Sequence, residues 1–146
     1  MKQRQKTLEL LAKRFFQILV HIALIVQLNS CFLKQDRTTT VYGTITDQNG
    51  EPVDSILVMM TGLKFHSATV LQEVYSDKNG KFEIVTEVPK KFSAINVEVP
   101  FLPVKNPKFE NHYDGFGVKK DGVSTNDCCT ASIGEKTKYD FQLIPK

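Results

Sequence analysis

The 146-residue chain has no tryptophan, three cysteines, no arginine after Arg37 and no apolar run of bilayer length. Without tryptophan, its core must be built from aliphatic residues and its 10 phenylalanines. The missing arginines bear on nucleic acid. A groove that follows a phosphate backbone needs clustered Arg and Lys. After Arg37 the only adjacent basic residues are the pairs Lys90-Lys91 and Lys119-Lys120. The net charge of +3 does not restore that footprint. Residues 1–30 hold Lys2, Arg4, Lys6, Lys13 and Arg14 against Glu9, a net of +4, so the rest of the chain carries −1. A nucleic-acid partner is therefore not expected.

The longest apolar stretch is "FFQILVHIALIVQL", residues 15–28, interrupted by Gln17, His21 and Gln27. A membrane-spanning helix needs about 20 mainly apolar residues. A secretory h-region needs about 7–15 after a positive n-region, so the length predicts a signal peptide over 1–30. The stretch ends in "LNSC", with Leu28 three residues before Cys31 and Ser30 just before it. This resembles the lipobox of bacterial lipoproteins. That resemblance implies cleavage before Cys31 and lipid on its sulfur, placing the mature chain in the cell envelope, at the outer membrane of a Gram-negative bacterium. An uncleaved anchor and a free Cys31 are the competing readings. Residues 31–40, "FLKQDRTTT" after the cysteine, read as a tether.

Beyond residue 40, short apolar runs alternate with Gly, Pro, Asn and Asp. The runs are 41–46, 55–60, 69–76, 81–85, 94–99 and 138–144. In "AINVEV", Ile95, Val97 and Val99 alternate with Asn96 and Glu98. In "KYDFQLI", Tyr139, Phe141 and Leu143 alternate with Asp140 and Gln142. Period-two patterning means one buried face and one wet face. The expected class is all-β, a two-sheet antiparallel sandwich of about seven strands over residues 41–146.

Two copies of Asp-x-Asn-Gly, "TDQNGEP" at 46–52 and "SDKNGKF" at 76–82, each lie between expected strands. Asn-Gly is a hairpin signal because both residues tolerate positive φ, and Asp can bond the backbone two residues on. A calcium loop would need a longer run of ligands and flanking helices. Turns are the expectation, with no metal and no cofactor.

The run "VYGTITDQNGEPVDSILVMM…VYSDKNGKFEIV" resembles the carboxypeptidase regulatory-like domain. The match rests on Gly43, Ile45, Asp47 and Asn49-Gly50-Glu51-Pro52, then Ser76-Asp77, Asn79-Gly80 and Phe82. The terminal "KYDFQLIPK" looks like that family's last strand. The resemblance covers 41–99 and 138–146. It implies a seven-stranded Greek-key sandwich of the transthyretin (prealbumin-like) type and an accessory role without catalytic residues.

Residues 100–137 fit no pattern and are expected as a long loop region, with "FGVKK" (116–120) a further strand candidate. Such loops are often functional. Phe101, Phe109, His112, Tyr113 and Phe116 gather here as a candidate binding surface for an envelope protein or glycan; folding back over the sandwich is the plainer reading. Cys128 and Cys129 are adjacent, and an exported protein meets an oxidising compartment, so a vicinal disulfide is a candidate. The spacing lacks a zinc-type C-x-x-C. For catalysis, His21 lies in the leader, and His66 and His112 are lone histidines without a recognisable nucleophile. The expected function is a non-enzymatic, lipid-anchored binding module. The alternative is a small envelope redox protein or enzyme using Cys128-Cys129.

Overall fold

The computed structural model of the protein describes residues 13–21, 36–65, 67–100, 104–126 and 128–146. The chain divides into two units, Met1–Gln35 and Asp36–Lys146. In the first, residues 13–21 form a helix, α1. No described helix is long and apolar enough to cross a membrane. Cys31 lies outside the described residues.

Strand is the main regular structure of the second unit. In chain order it runs β1 (Thr38–Thr46), β2 (Leu57–Lys64), β3 (Ser67–Tyr75), β4 (Lys81–Glu87), β5 (Ala94–Glu98), α2 (Pro107–His112), β6 (Tyr113–Lys120), β7 (Val123–Ser124), β8 (Thr130–Ala131) and β9 (Lys136–Pro145). One sheet has the order β4-β1-β9-β6-β7 and the other β3-β2-β5-β8.

The alternating sequences become the two inner faces. Val41 and Ile45 from β1, Ile84 from β4 and Tyr139, Phe141 and Leu143 from β9 meet Val58 and Met60 from β2 and Ile95 and Val97 from β5 in one core. All ten are at or near zero exposure. Full burial of such side chains stabilises by about 1.5–3 kcal/mol each before entropy is counted. The continuous apolar run at 55–60 becomes β2, which lies between β3 and β5. Leu57, Met59 and Thr61, which point away from this core, are buried as well.

Four expectations need correction. The described strands number nine, not seven, because β7 and β8 are two-residue pieces at sheet edges. The sheets are not purely antiparallel: β1 and β9, near the two ends of the domain, run parallel side by side. The tether does not extend to residue 40, since Thr38–Thr40 already pair with β4. Arg37 fastens that entry point, its guanidinium donating to the carbonyls of Val88 at 2.8 Å and Phe92 at 2.7 Å. Finally, 100–137 is no structureless loop. It supplies α2, β6, β7 and β8, and β6 pairs with β9 along most of its length.

Candidate functional site

The two Asp-x-Asn-Gly stretches fold the same way. The carboxylate of Asp47 accepts from the N–H of Asn49 at 2.8 Å and of Glu51 at 2.9 Å, while Gly50 N–H donates to the Asp47 carbonyl at 3.1 Å. Asp77 accepts in turn from Asn79 and Lys81, both at 2.8 Å, and Gly80 closes onto the Asp77 carbonyl at 2.8 Å. The backbone hydrogen bonds that hold its carboxylate, Glu51 foremost, keep Asp47 below the usual carboxylate range. Only the glycines take positive φ, +86° at Gly50 and +70° at Gly80. The asparagines tolerate positive φ but do not adopt it: each turn is a type I turn ended by a left-handed glycine. These carboxylates are spent on turn N–H groups.

Of the candidate surface in 100–137, Phe109 is buried, Tyr113 and Phe116 are half-buried against the core, and His112 is exposed. Asn106 is fully buried and acts as a missing strand residue: its side chain accepts from Leu57 N–H at 3.1 Å and donates to the carbonyls of Leu57 at 3.2 Å and Pro100 at 3.1 Å. It thus caps β2 where β5 has ended. Pro107 then opens α2, where its lost N–H costs nothing. Lys108 is ion-paired with Asp54, which pulls the Asp54 carboxyl down. The helix delivers Phe109 into the core at 3% exposure, and Tyr113 and Phe116 pack against it. The ring centroids of Phe109 lie 6.2 Å from those of both Tyr113 and Phe116. His112 is exposed beside Tyr113. Phe101 and His66 lie outside the described residues. The folded-back reading of these aromatics therefore describes Phe109, Tyr113 and Phe116 better than a surface does.

The sulfurs of the adjacent Cys128 and Cys129 lie side by side. Cys129 is fully buried and bonded to β5: its N–H donates to the Asn96 side chain at 3.1 Å and its carbonyl accepts from Val97 at 3.0 Å. Cys128 is exposed. Beside them, the Thr130 carbonyl accepts from both Tyr139 Oη at 2.7 Å and Lys120 Nζ at 3.1 Å. Among the described residues no group of three or more His, Cys, Asp and Glu is placed to hold a metal.

The most site-like relief lies elsewhere, on the outer face of the five-stranded sheet. A hollow of 480 Å³ runs along Tyr42 and Thr44 of β1, between Lys81 and Glu83 of β4 and Lys138 of β9. A second, of 240 Å³, lies on the same face over Gly117, Thr46 and Gln142. A bonded ridge separates them. Asp140 accepts from the Thr44 hydroxyl at 2.7 Å, the Thr44 N–H at 3.1 Å and Lys138 Nζ at 2.7 Å. The Thr44 N–H turns to this side chain at the place where β1 and β9 have no backbone partners in register, between Tyr42↔Lys138 and Ile45↔Phe141. Burial pushes Asp140 up, but Lys138 and Thr44 outweigh it and hold the carboxyl low; Lys138 is raised in return. Lys136 Nζ lies 4.5 Å over the Tyr42 ring.

Sequence reasoning marked Asp140 and Gln142 as wet-face residues without seeing this trough. The sign was the small-residue floor: Thr44, Thr46 and Gly117 recur at positions that alternate with core residues. The fold is an all-β sandwich of two sheets. The chain matches no family model, no curated protein and no solved structure.

Proposed function

We propose that the protein is a lipid-anchored, non-enzymatic binding module of the bacterial cell envelope, with its β-sandwich held at the outer membrane by acylated Cys31. The supporting observation is the spacing between two independent features. A basic, then apolar leader ends in Leu-Asn-Ser-Cys, and the folded unit begins at Asp36, five residues after that cysteine. Several acyl chains hold stably, whereas one alone is marginal.

The domain fits the carboxypeptidase regulatory-like, prealbumin-like Greek-key class. In support, seven of the nine described strands are five residues or longer, and each Asp-x-Asn-Gly turn lies on a connection that crosses from one sheet to the other. An envelope protein or a glycan is the partner class. The test is Cys31→Ser followed by fractionation of cells. The proposal expects the substituted protein to leave the membrane fraction with its leader unprocessed or differently processed. Unchanged membrane association and processing counts against it.

One observation favours a second reading, a small envelope redox protein or enzyme. The adjacent thiols, with Cys128 exposed and Cys129 buried, are two sulfurs within reach of each other and open to solvent on one side. Reduction and alkylation of both thiols separates the two: partner binding survives in the first reading, and activity vanishes in the second.

A further inference from the structure

Building on the reading of Cys31 as an acylated anchor, we infer that one corner of the sandwich docks on an anionic phospholipid surface. The corner is made by the β2–β3 turn and the β4–β5 connection. Phe65 enters the interface, and Lys64, Lys90 and Lys91 face headgroup phosphates.

Hydrogen bonds join this corner to the point where the chain enters the fold. The Arg37 guanidinium donates to the carbonyls of Val88 and Phe92, at 2.8 and 2.7 Å, and so holds the connection that carries Lys90 and Lys91. The Ser93 N–H donates to the Leu63 carbonyl at 3.1 Å, and Ala94 pairs with Leu63. Phe92 seats on Gly62, where a Cβ would come within 2.7 Å of its ring. The next residues along the chain are Lys64, which ends β2, and Phe65, which begins the turn. Connection and turn therefore lie side by side at the end of the sandwich where Arg37 enters.

Reach selects the partner. Asp36 follows Cys31 by five residues, a span of at most about 18 Å. An acylated Cys31 keeps this end of the sandwich within that distance of the lipid, whatever path the tether takes. The end that carries both Asp-x-Asn-Gly turns is a strand length away, about 30 Å for the nine residues of β3.

Chemistry agrees with reach. Phe65 is 88% exposed, an aromatic ring that gains by leaving water. Lys64, Lys90 and Lys91 are exposed beside it, and residues 61–67 and 88–94 contain no acid. The acids of this end belong to the other sheet. Glu87 faces outward from β4, and Glu135 adjoins β1 through the Thr40 N–H. The carboxylates of Asp36 and Asp121 accept from the N–H groups of Thr38 and Lys138. Each lysine near an anionic bilayer favours the bound state about fivefold. Lysine is depleted at protein interfaces, so three lysines beside one aromatic fit a lipid surface better than a protein partner or a second copy.

The chain has no tryptophan, which makes Phe65→Trp a single fluorescent reporter. Tyr75→Trp, at the far end of β3, is its control; the two positions are 88% and 60% exposed. Each mature variant is taken from the membrane fraction and reconstituted into vesicles of phosphatidylethanolamine with phosphatidylglycerol, or of phosphatidylcholine alone. In the anionic vesicles the reporter at 65 is expected to shift its emission to shorter wavelength and to be quenched by brominated phospholipid, while the reporter at 75 stays wet. Phosphatidylcholine removes the effect, as does about 1 M salt, where the Debye length falls to about 3 Å. Lys64→Gln, Lys90→Gln and Lys91→Gln together weaken docking about a hundredfold with the unfolding temperature unchanged. A reporter at 65 that stays wet in anionic vesicles, equal quenching at 65 and 75, equal quenching in phosphatidylcholine, or docking that survives loss of the three lysines overturns the inference. Intact mass of the same sample separates this failure from that of the anchor. Acylated protein with a wet reporter at 65 removes the docking surface and leaves the anchor standing. Protein without lipid removes the anchor and, with it, the docking inferred from it.

Discussion

Gly50 and Gly80 occupy the same position in two copies of one turn, yet replacing each by alanine has different consequences. Both have positive φ, so each alanine carries the left-handed penalty of about 1–2 kcal/mol, less a few tenths regained from the unfolded chain. At Gly50 that is the whole cost, since a Cβ there meets nothing within 4 Å. At Gly80 a Cβ would overlap the Ile45 carbonyl oxygen and come within 3.2 Å of Pro52 and Val53. That carbonyl accepts from Val53 N–H at 3.0 Å, and the Gly80 carbonyl accepts from Ile45 N–H at 2.7 Å. Relieving the overlap by shifting Ile45 loses both bonds, at about 1 kcal/mol each. The expected costs are therefore about 1 kcal/mol for Gly50→Ala and about 3 kcal/mol for Gly80→Ala. For a domain of this size they correspond to falls in Tm of about 4 °C and about 12 °C. Thermal unfolding followed by far-ultraviolet circular dichroism measures both. Equal losses, or a larger loss at Gly50, refute the argument that the second turn is wedged against β1 and the first is free.

Further predictions follow from the same geometry. Asn106→Ala leaves the Leu57 N–H and the Leu57 and Pro100 carbonyls without their partner; it should cost about 3–4 kcal/mol in urea unfolding, far more than Asn49→Ala on the exposed turn. Asp140 is held below its usual 3.8, so its contribution to stability is present above that pH and is lost as pH falls through the lower folded value. Unfolding free energy should drop below about pH 4, and Asp140→Asn should flatten part of that drop. Asp47 acts in the same direction. Lys138 is raised, so its share persists through neutral pH and is lost only in strong alkali, above its usual 10.5. Arg37→Ala frees the carbonyls of Val88 and Phe92 and should loosen the first residues of β1, seen as faster amide exchange at Thr38 and Thr39 with the sandwich intact.

The core was legible because period-two patterning is a local signal. Ile95 and Val97, and Tyr139, Phe141 and Leu143, alternate in the sequence and alternate in the fold. What was not legible depends on partners far apart in the chain. Arg37 finds its carbonyls more than 50 residues away, and Asn106 finds Leu57 across 49; neither bond leaves a trace in spacing. The parallel pairing of β1 with β9 is likewise a fact of topology. In 104–120, the prolines and glycines read as breakers. Pro107 is in fact a helix start, and Gly115 and Gly117 lie within a strand whose outer side is bare. The trough combines these cases: its polar residues were visible one strand at a time, and its shape arises only when four strands lie side by side.

Anchoring of the sandwich through Cys31 is decided by the intact mass of the mature protein taken from the membrane fraction. The expected species is a chain that begins at Cys31 and carries the added mass of acyl chains on that residue. A chain that keeps residues 1–30, or one that begins at or near Cys31 with no added lipid, contradicts it.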